Sequence, residues 1–224
     1  MICDRVDPEL RPLGGDYPDM FRVLLPGNEW TLYDAVSGVF PADPGECDAY
    51  VCTGSRFSVY DPEPWIQPLT TFVRTLYEND RPYVGICFGH QVLGAAMGVP
   101  VAKSEGGWCV GVHTFRVNEQ QAWMRPTAQR FNLLMSCQDQ VQSLPADSIL
   151  LAGNEGCPIG AFQVGSRMLG VQGHPEFPPA YAAALMDRRA ERIGADKVRA
   201  ARQSLSLPID GLLWGEWIVR FLAG

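Results

Sequence analysis

The stretch that most constrains this chain is Tyr83–Gln91, YVGICFGHQ. An apolar run ends on Gly-x-Cys-x-Gly and turns polar at once, the pattern of a buried strand that breaks sharply into a helix. The residue at such a break is presented at the end of the sheet, and glycine on either side permits a strained backbone and clears space around it. Cys87 is therefore either a small buried residue closing a core strand or a nucleophile. A helix beginning there aims its free N–H groups at the thiol and favours the thiolate. The Phe88 N–H is placed to hold an oxyanion once a carbonyl is attacked.

The surrounding pattern says what kind of sheet this strand belongs to. Asp48–Gly54, DAYVCTG, reads as a short buried strand. Leu69, Phe72, Val73 and Leu76 then recur at i, i+3, i+4 and i+7 and predict a helix, with Pro68 tolerable only in its first turn. Pro82–Cys87 is the next strand and Gly89–Gly98 the next helix. Strand alternating with helix implies βαβ units and a parallel sheet. The middle of the chain differs. Gly107–Val117, Arg130–Cys137, Ser148–Gly153, Ile159–Gly165 and Arg167–His174 are strand-like with short connections, which predicts antiparallel hairpins, one turning at 164–167. Helices return at Pro178–Ile193 and Ala195–Leu205, and Leu212, Leu213, Trp217, Ile218 and Phe221 form an apolar stripe read as core. The expectation is an α/β fold over residues 1–224 as one domain. Its central, mostly parallel sheet is flanked by helices and carries a nucleophile elbow, with antiparallel strands in the second half. Met1–Cys3 is short for a buried first strand of about five residues. The first strand is then truncated, or the start lies inside a longer reading frame.

Charge narrows the function classes. A net charge of −7 with no basic stripe argues against general nucleic-acid binding. The densest basic run, Arg188–Arg202, is interrupted by Glu191 and Asp196 and reads as a solvated helix face. No run of about 18 apolar residues predicts a membrane span, and no leader opens the chain. The seven cysteines are dispersed without a CxxC pair, as expected of reduced thiols in a cytoplasm, and the three histidines lack metal-ligand spacing.

A cysteine nucleophile needs a base, and the base an orienting group. His174 follows an apolar strand in VQGHPEF, Pro175 holds it extended, and Glu176 lies two residues on. This supplies a Cys-His-acid set, although His-Pro-Glu alone is also an ordinary loop. His90 is a rival base close in sequence, but as a helical residue it is expected to pack. His113 lies in a strand-like run and reads as structural. Gly54 ends its strand in CTGSR, where its amide (or that of Ser55) would face Phe88 as a second oxyanion donor.

Taken together, GICFGHQ followed 87 residues later by His-Pro-Glu, with the strand-ending TGS upstream, resembles the class I (triad-type) glutamine amidotransferase domain. GGDYPD (Gly14–Asp19) and GWCVG (Gly107–Gly111) resemble its stand-alone, GMP-synthetase-like subgroup. The resemblance implies that Cys87 attacks a γ-glutamyl carbonyl, that His174 shuttles the proton and that Glu176 orients it, with the Gly54 and Phe88 amides on the oxyanion. Gln91 then helps recognise the α-amino and α-carboxylate end of the substrate. Ser136, Cys137, Gln138 and Asp139, in SCQDQV, line the pocket. Cys137 stands where the family often has histidine, and Trp108 either walls the same pocket or fills core. No metal or organic cofactor is implied.

Two activities follow from the resemblance. One is a glutaminase that delivers ammonia to a partner synthetase, since no phosphate-binding Gly-x-x-x-x-Gly-Lys-[Ser/Thr] is present. The other is a self-sufficient hydrolase of γ-glutamyl peptides or amides. A non-enzymatic binding module on the same fold is disfavoured by the complete Cys-His-Glu set. A cysteine α/β-hydrolase is disfavoured because its acid precedes the histidine by a long stretch.

Overall fold

The computed structural model describes residues 1–224. The chain enters through helix α1 (Tyr17–Leu24), capped by Asp16, whose carboxylate accepts from the main chain while Asp19 reciprocates. Strand β1 (Tyr50–Cys52), helix α2 (Ile66–Glu78), strand β2 (Tyr83–Ile86) and helix α3 (Phe88–Ala96) follow. Pro68 does fall in the first turn of α2, where no intrahelical donor is lost.

Then come β3 (Val101–Lys103), β4 (Cys109–Val117), β5 (Arg130–Cys137), β6 (Asp139–Val141), β7 (Ser148–Asn154), β8 (Cys157–Val164) and β9 (Met168–Val171). Four helices close the chain: α4 (Pro179–Arg188), α5 (Ala190–Ile193), α6 (Ala195–Ser204) and α7 (Gly211–Ala223). No helix is long and apolar enough to cross a membrane.

Seven strands form one mixed sheet in the order β1-β2-β9-β8-β7-β4-β5, and β3 pairs with β6 apart from it. Parallel pairing is confined to β1–β2 and β2–β9. The other four neighbouring pairs are antiparallel, so the parallel share is smaller than the sequence pattern suggests. The reason is the connections: the β7–β8 and β8–β9 links are too short for the crossover that parallel neighbours require.

Each face of the sheet buries its own core, because successive strand residues point to opposite sides. Val84, Ile86, Leu169 and Val171 face Trp214, Trp217, Ile218 and Phe221 of α7. Tyr83 and Met168 face Leu69, Val73 and Leu76 of α2 and Val92 and Leu93 of α3. On α7 the expected stripe needs one correction. Leu212 is exposed and Trp214 takes the buried position, since the helix begins only at Gly211 and its packed face runs through 214, 217, 218 and 221.

At the elbow the positive φ sits on Cys87 itself, with φ 53° and ψ −98°. The flanking glycines serve close approach instead. A Cβ on Gly85 would lie 2.3 Å from the main-chain carbon of Gly89, and one on Gly89 would lie 2.6 Å from the Cys52 oxygen. Strand and helix therefore meet backbone to backbone, which draws the start of α3 tightly under β1 and β2. Gly85→Ala is expected to destabilise the fold by about 3 kcal/mol, at the upper end of core overpacking. A urea unfolding midpoint unchanged from wild type would contradict this.

Candidate active site

Three chain segments meet at the C-terminal ends of the parallel strands. The elbow is anchored by the Cys87 N–H, which donates to Val171 O at 2.8 Å. As the residue before α3, Cys87 lies against main-chain donors that have no partner within the helix. Phe88 is the first of these, and its ring is packed at 5.5 Å against Trp65.

The second segment follows β9. His174 makes an antiparallel bridge with Leu134, its N–H donating to Leu134 O at 2.8 Å. Its ring stacks on Phe177 at 3.8 Å between centroids. Nδ1 lies 2.7 Å from Glu176 Oε1, and both side chains are buried. This bond fixes the tautomer with hydrogen on Nδ1, leaving Nε2 for the thiol. Glu176 Oε2 makes no hydrogen bond, so the carboxylate acts on the imidazole alone. Burial by itself depresses the imidazole pKa. The Glu176 charge and the interaction with Cys87 outweigh it and raise the value to about 10.

The third segment is the loop after β1. It is tied to the chain start: the Cys3 N–H donates to Thr53 Oγ1 at 3.0 Å, Ser55 Oγ to Cys3 O at 2.7 Å, and the Arg56 N–H to Asp4 at 2.9 Å. Met1 itself lies along β1, its amine 2.7 Å from Val51 O. The loop brings Gly54 so close that an added Cβ would stand 2.9 Å from His174 Cε1 and 3.6 Å from Cys87 Cβ. Gly54→Ala would push the imidazole from its seat. A fall of about 10²-fold in kcat is expected with little change in stability, because a displacement of this size disrupts reacting geometry. Full activity in that variant would contradict the placement.

Chain topology thus brings Cys87, His174, Glu176, Gly54 and Phe88 to one point. The rival histidines lie elsewhere. His90 is fully buried against the Phe162 ring at 4.9 Å, makes no side-chain hydrogen bond, and is held neutral by burial with its pKa lowered to about 3. His113 bonds Val110 O at 3.1 Å, and burial lowers its pKa too.

A cleft of about 230 Å³ opens beside the thiol, and Gln91, Ser136, Cys137, Gln138 and Asp139 all line it together with Cys87. Gln91 Nε2 is already committed, donating to Asp139 O at 2.8 Å and to Gln172 Oε1 at 3.2 Å. Its amide nitrogen braces the wall, so any contact with a bound molecule falls to its oxygen. Asp139 is buried with its carboxylate held by Tyr60 at 2.9 Å and by Ser58. These two hydroxyls were not legible in the sequence, because they reach Asp139 across about 80 residues of chain. Cys137 stands opposite Cys109 in the β4–β5 register. The neighbouring Cys137 thiol pulls Cys109 down to about 7, and Cys109 together with burial pushes Cys137 up.

The model of the family described as glutamine amidotransferase class-I matches residues 57–188. The chain belongs to that family. Among its relatives, gamma-glutamyl peptidase 3 of Arabidopsis thaliana is 26% identical over 211 residues, covering 88% of this chain and 84% of the peptidase. A glutamine amidotransferase-like protein of Schizosaccharomyces pombe is 30% identical over 188 residues, covering 75% of this chain and 74% of its own. The crystal structure of a glutamine amidotransferase from Thermotoga maritima matches with a TM-score of 0.73 at 18% identity, over 99% of this chain and 95% of that one. This last likeness shows the class I amidotransferase fold, with its curled mixed sheet between helices.

One sequence expectation needs revision. The basic run Arg188–Arg202 is not wholly a solvated face. Arg189 and Arg192, three residues apart, both reach the cleft and lie over the Trp108 ring, at 5.9 and 5.6 Å from its centroid. Trp108 accordingly walls the pocket. Helical spacing alone hid this, because the ring that gathers the two guanidiniums comes from the residue just before β4.

Proposed function

We propose that the protein hydrolyses the γ-glutamyl carbon–nitrogen bond of a glutamine-type amide through a thioester on Cys87. The observation that carries this reading is the strained Cys87 at the head of α3, beside a buried His174–Glu176 pair and the close-packed Gly54. The Cys87 sulfur attacks the γ-carbonyl carbon while His174 holds the thiol proton. The oxyanion of the tetrahedral adduct is met by the Gly54 and Phe88 N–H groups. The carbon–nitrogen bond breaks as His174 returns the proton to the departing amine, leaving a γ-glutamyl thioester. Water, deprotonated by His174, cleaves the thioester and regenerates the thiol. Glu176 keeps the imidazole oriented throughout. The Asp139 carboxylate, braced by Ser58 and Tyr60, is suited to the substrate's α-ammonium, and Gln91 Oε1 to the same end of the molecule.

Two fates of the amine fit this chemistry. In the first, ammonia passes to a synthetase subunit, and turnover rises when the complex forms. In the second, the protein is a self-sufficient hydrolase. The relative named gamma-glutamyl peptidase favours the second, since the similarity extends over 84% of that protein. The test is glutamate release by the purified protein from glutamine and from a panel of γ-glutamyl amides and peptides. Release from at least one of them is expected. No release from any, with Cys87 unreactive toward a glutamine-like electrophile, would contradict the proposal.

A further inference from the structure

The cleft beside Cys87 is polarised in a way that a single glutamyl group does not use up. Asp61 and Asp139 sit among its lining residues, with four cations: Arg56, Lys103, Arg189 and Arg192. Arg56 is consumed, because it pairs with Asp4 at 2.9 Å and Asp7 at 3.3 Å. The remaining three make no ion pair. Their neighbours do: Arg188 is held by Asp7 and Glu9, and Arg202 by Asp187. A γ-glutamyl group brings one ammonium and one carboxylate. With Asp139 facing the ammonium, the substrate carboxylate and Asp61 together offset two of the three free cations and leave one positive charge over.

Two of those cations are held rather than loose. Cation–π attraction keeps both guanidiniums over Trp108, and Arg189 is further fixed by a hydrogen bond from its Nη1 to Ser136 Oγ at 3.0 Å. Gathering two like charges onto one ring is unfavourable by itself, and a bound anion relieves it. Guanidinium forks fixed in this way match the planar geometry of a carboxylate. We propose that Lys103, with Arg189 and Arg192 gathered over Trp108, selects γ-glutamyl substrates whose leaving amine carries a carboxylate: γ-glutamyl amino acids and peptides rather than glutamine. This rests on the γ-glutamyl hydrolysis argued above and specifies the substrate class of that same site.

The test compares kcat/KM for L-γ-glutamylglycine and L-γ-glutamylglycinamide, which differ in the carboxylate alone, with L-glutamine alongside. The wild-type protein is expected to prefer the acid over its amide by at least about tenfold, and the preference is expected to shrink as salt is added. In Arg192→Gln the ratio is expected to fall to about threefold or less, with Arg192→Lys keeping part of it. Arg192 is exposed, so its substitution leaves the core intact. Equal hydrolysis of acid and amide by the wild-type protein overturns the inference and leaves γ-glutamyl hydrolysis standing. So does a preference for the acid that neither salt nor Arg192→Gln reduces. Hydrolysis of none of the three compounds, with Cys87 unlabelled by a glutamine-like electrophile, overturns the hydrolysis reading and this one with it.

Discussion

Cys87→Ala is expected to lower kcat for γ-glutamyl amide hydrolysis by about 10⁴- to 10⁶-fold, the range seen when the nucleophile of an interdependent set is removed. The loss is this large because in the proposed reaction the sulfur is itself a reactant, and Cys137 is the other thiol lining the cleft. Cys137 is buried with its thiol pushed up by Cys109 and burial, and Cys157 is pushed up by burial. What remains in the variant is binding and the two amides proposed to hold the oxyanion, which together support only weak attack by water. The fold is expected to survive. Cys87 contributes one small side chain to a 23-residue core cluster, and alanine keeps the Cβ that fits there. Circular dichroism and an unfolding curve close to wild type, beside absent turnover, are the expected pair of results.

Glu176→Gln is expected to cost about 10²- to 10³-fold in kcat, with a change in pH profile that separates an electrostatic role from a packing role. In the native protein the His174 imidazolium persists to about pH 10, because the Glu176 charge and the Cys87 interaction outweigh the depressing effect of burial. Glutamine can still accept the Nδ1–H and keep the ring oriented, so the tautomer survives while the charge is lost. Burial then acts with less opposition and the pKa falls. The form that protonates the leaving amine is lost as pH rises through this pKa. The alkaline limb of kcat, near pH 10 in the wild-type protein, is thus expected to move to lower pH in the variant.

Stability follows the same sign. A folded-state pKa above the unfolded value of about 6.5 gives stabilisation that is complete below that pH and declines as pH rises through about 10. The variant should lack that decline. An alkaline limb unmoved by Glu176→Gln would show that the carboxylate does not tune His174.

Much of this arrangement was legible in the sequence where local pattern and chemistry coincide. The elbow at Cys87 was marked by an apolar run stopping at glycine. Helix α2 was marked by Leu69, Phe72, Val73 and Leu76, and strand β5 by its apolar run at Arg130–Cys137. His174 and Glu176 were found because a proline fixes their relation.

What escaped depends on partners far apart along the chain. Strands β3 and β6 have three residues each, too few to carry a period. The smaller parallel share follows from which strands become neighbours, and β9 inserts beside β2 across more than 80 residues. Gln91 lines the cleft, but that its amide nitrogen braces the Asp139 main chain was not legible in the sequence. Arg189 and Arg192 looked like a charged helix surface until Trp108 was placed beneath them.

The central claim is a covalent γ-glutamyl intermediate on one particular thiol out of seven. The most direct measurement is acid quenching of the protein during turnover of a γ-glutamyl amide, followed by peptide mapping by mass spectrometry. A γ-glutamyl thioester is expected on the peptide carrying Cys87 and on no other, and is expected to be absent in Cys87→Ala. Acyl label on the Cys109 or Cys137 peptide, or glutamate release that persists in Cys87→Ala, would contradict it.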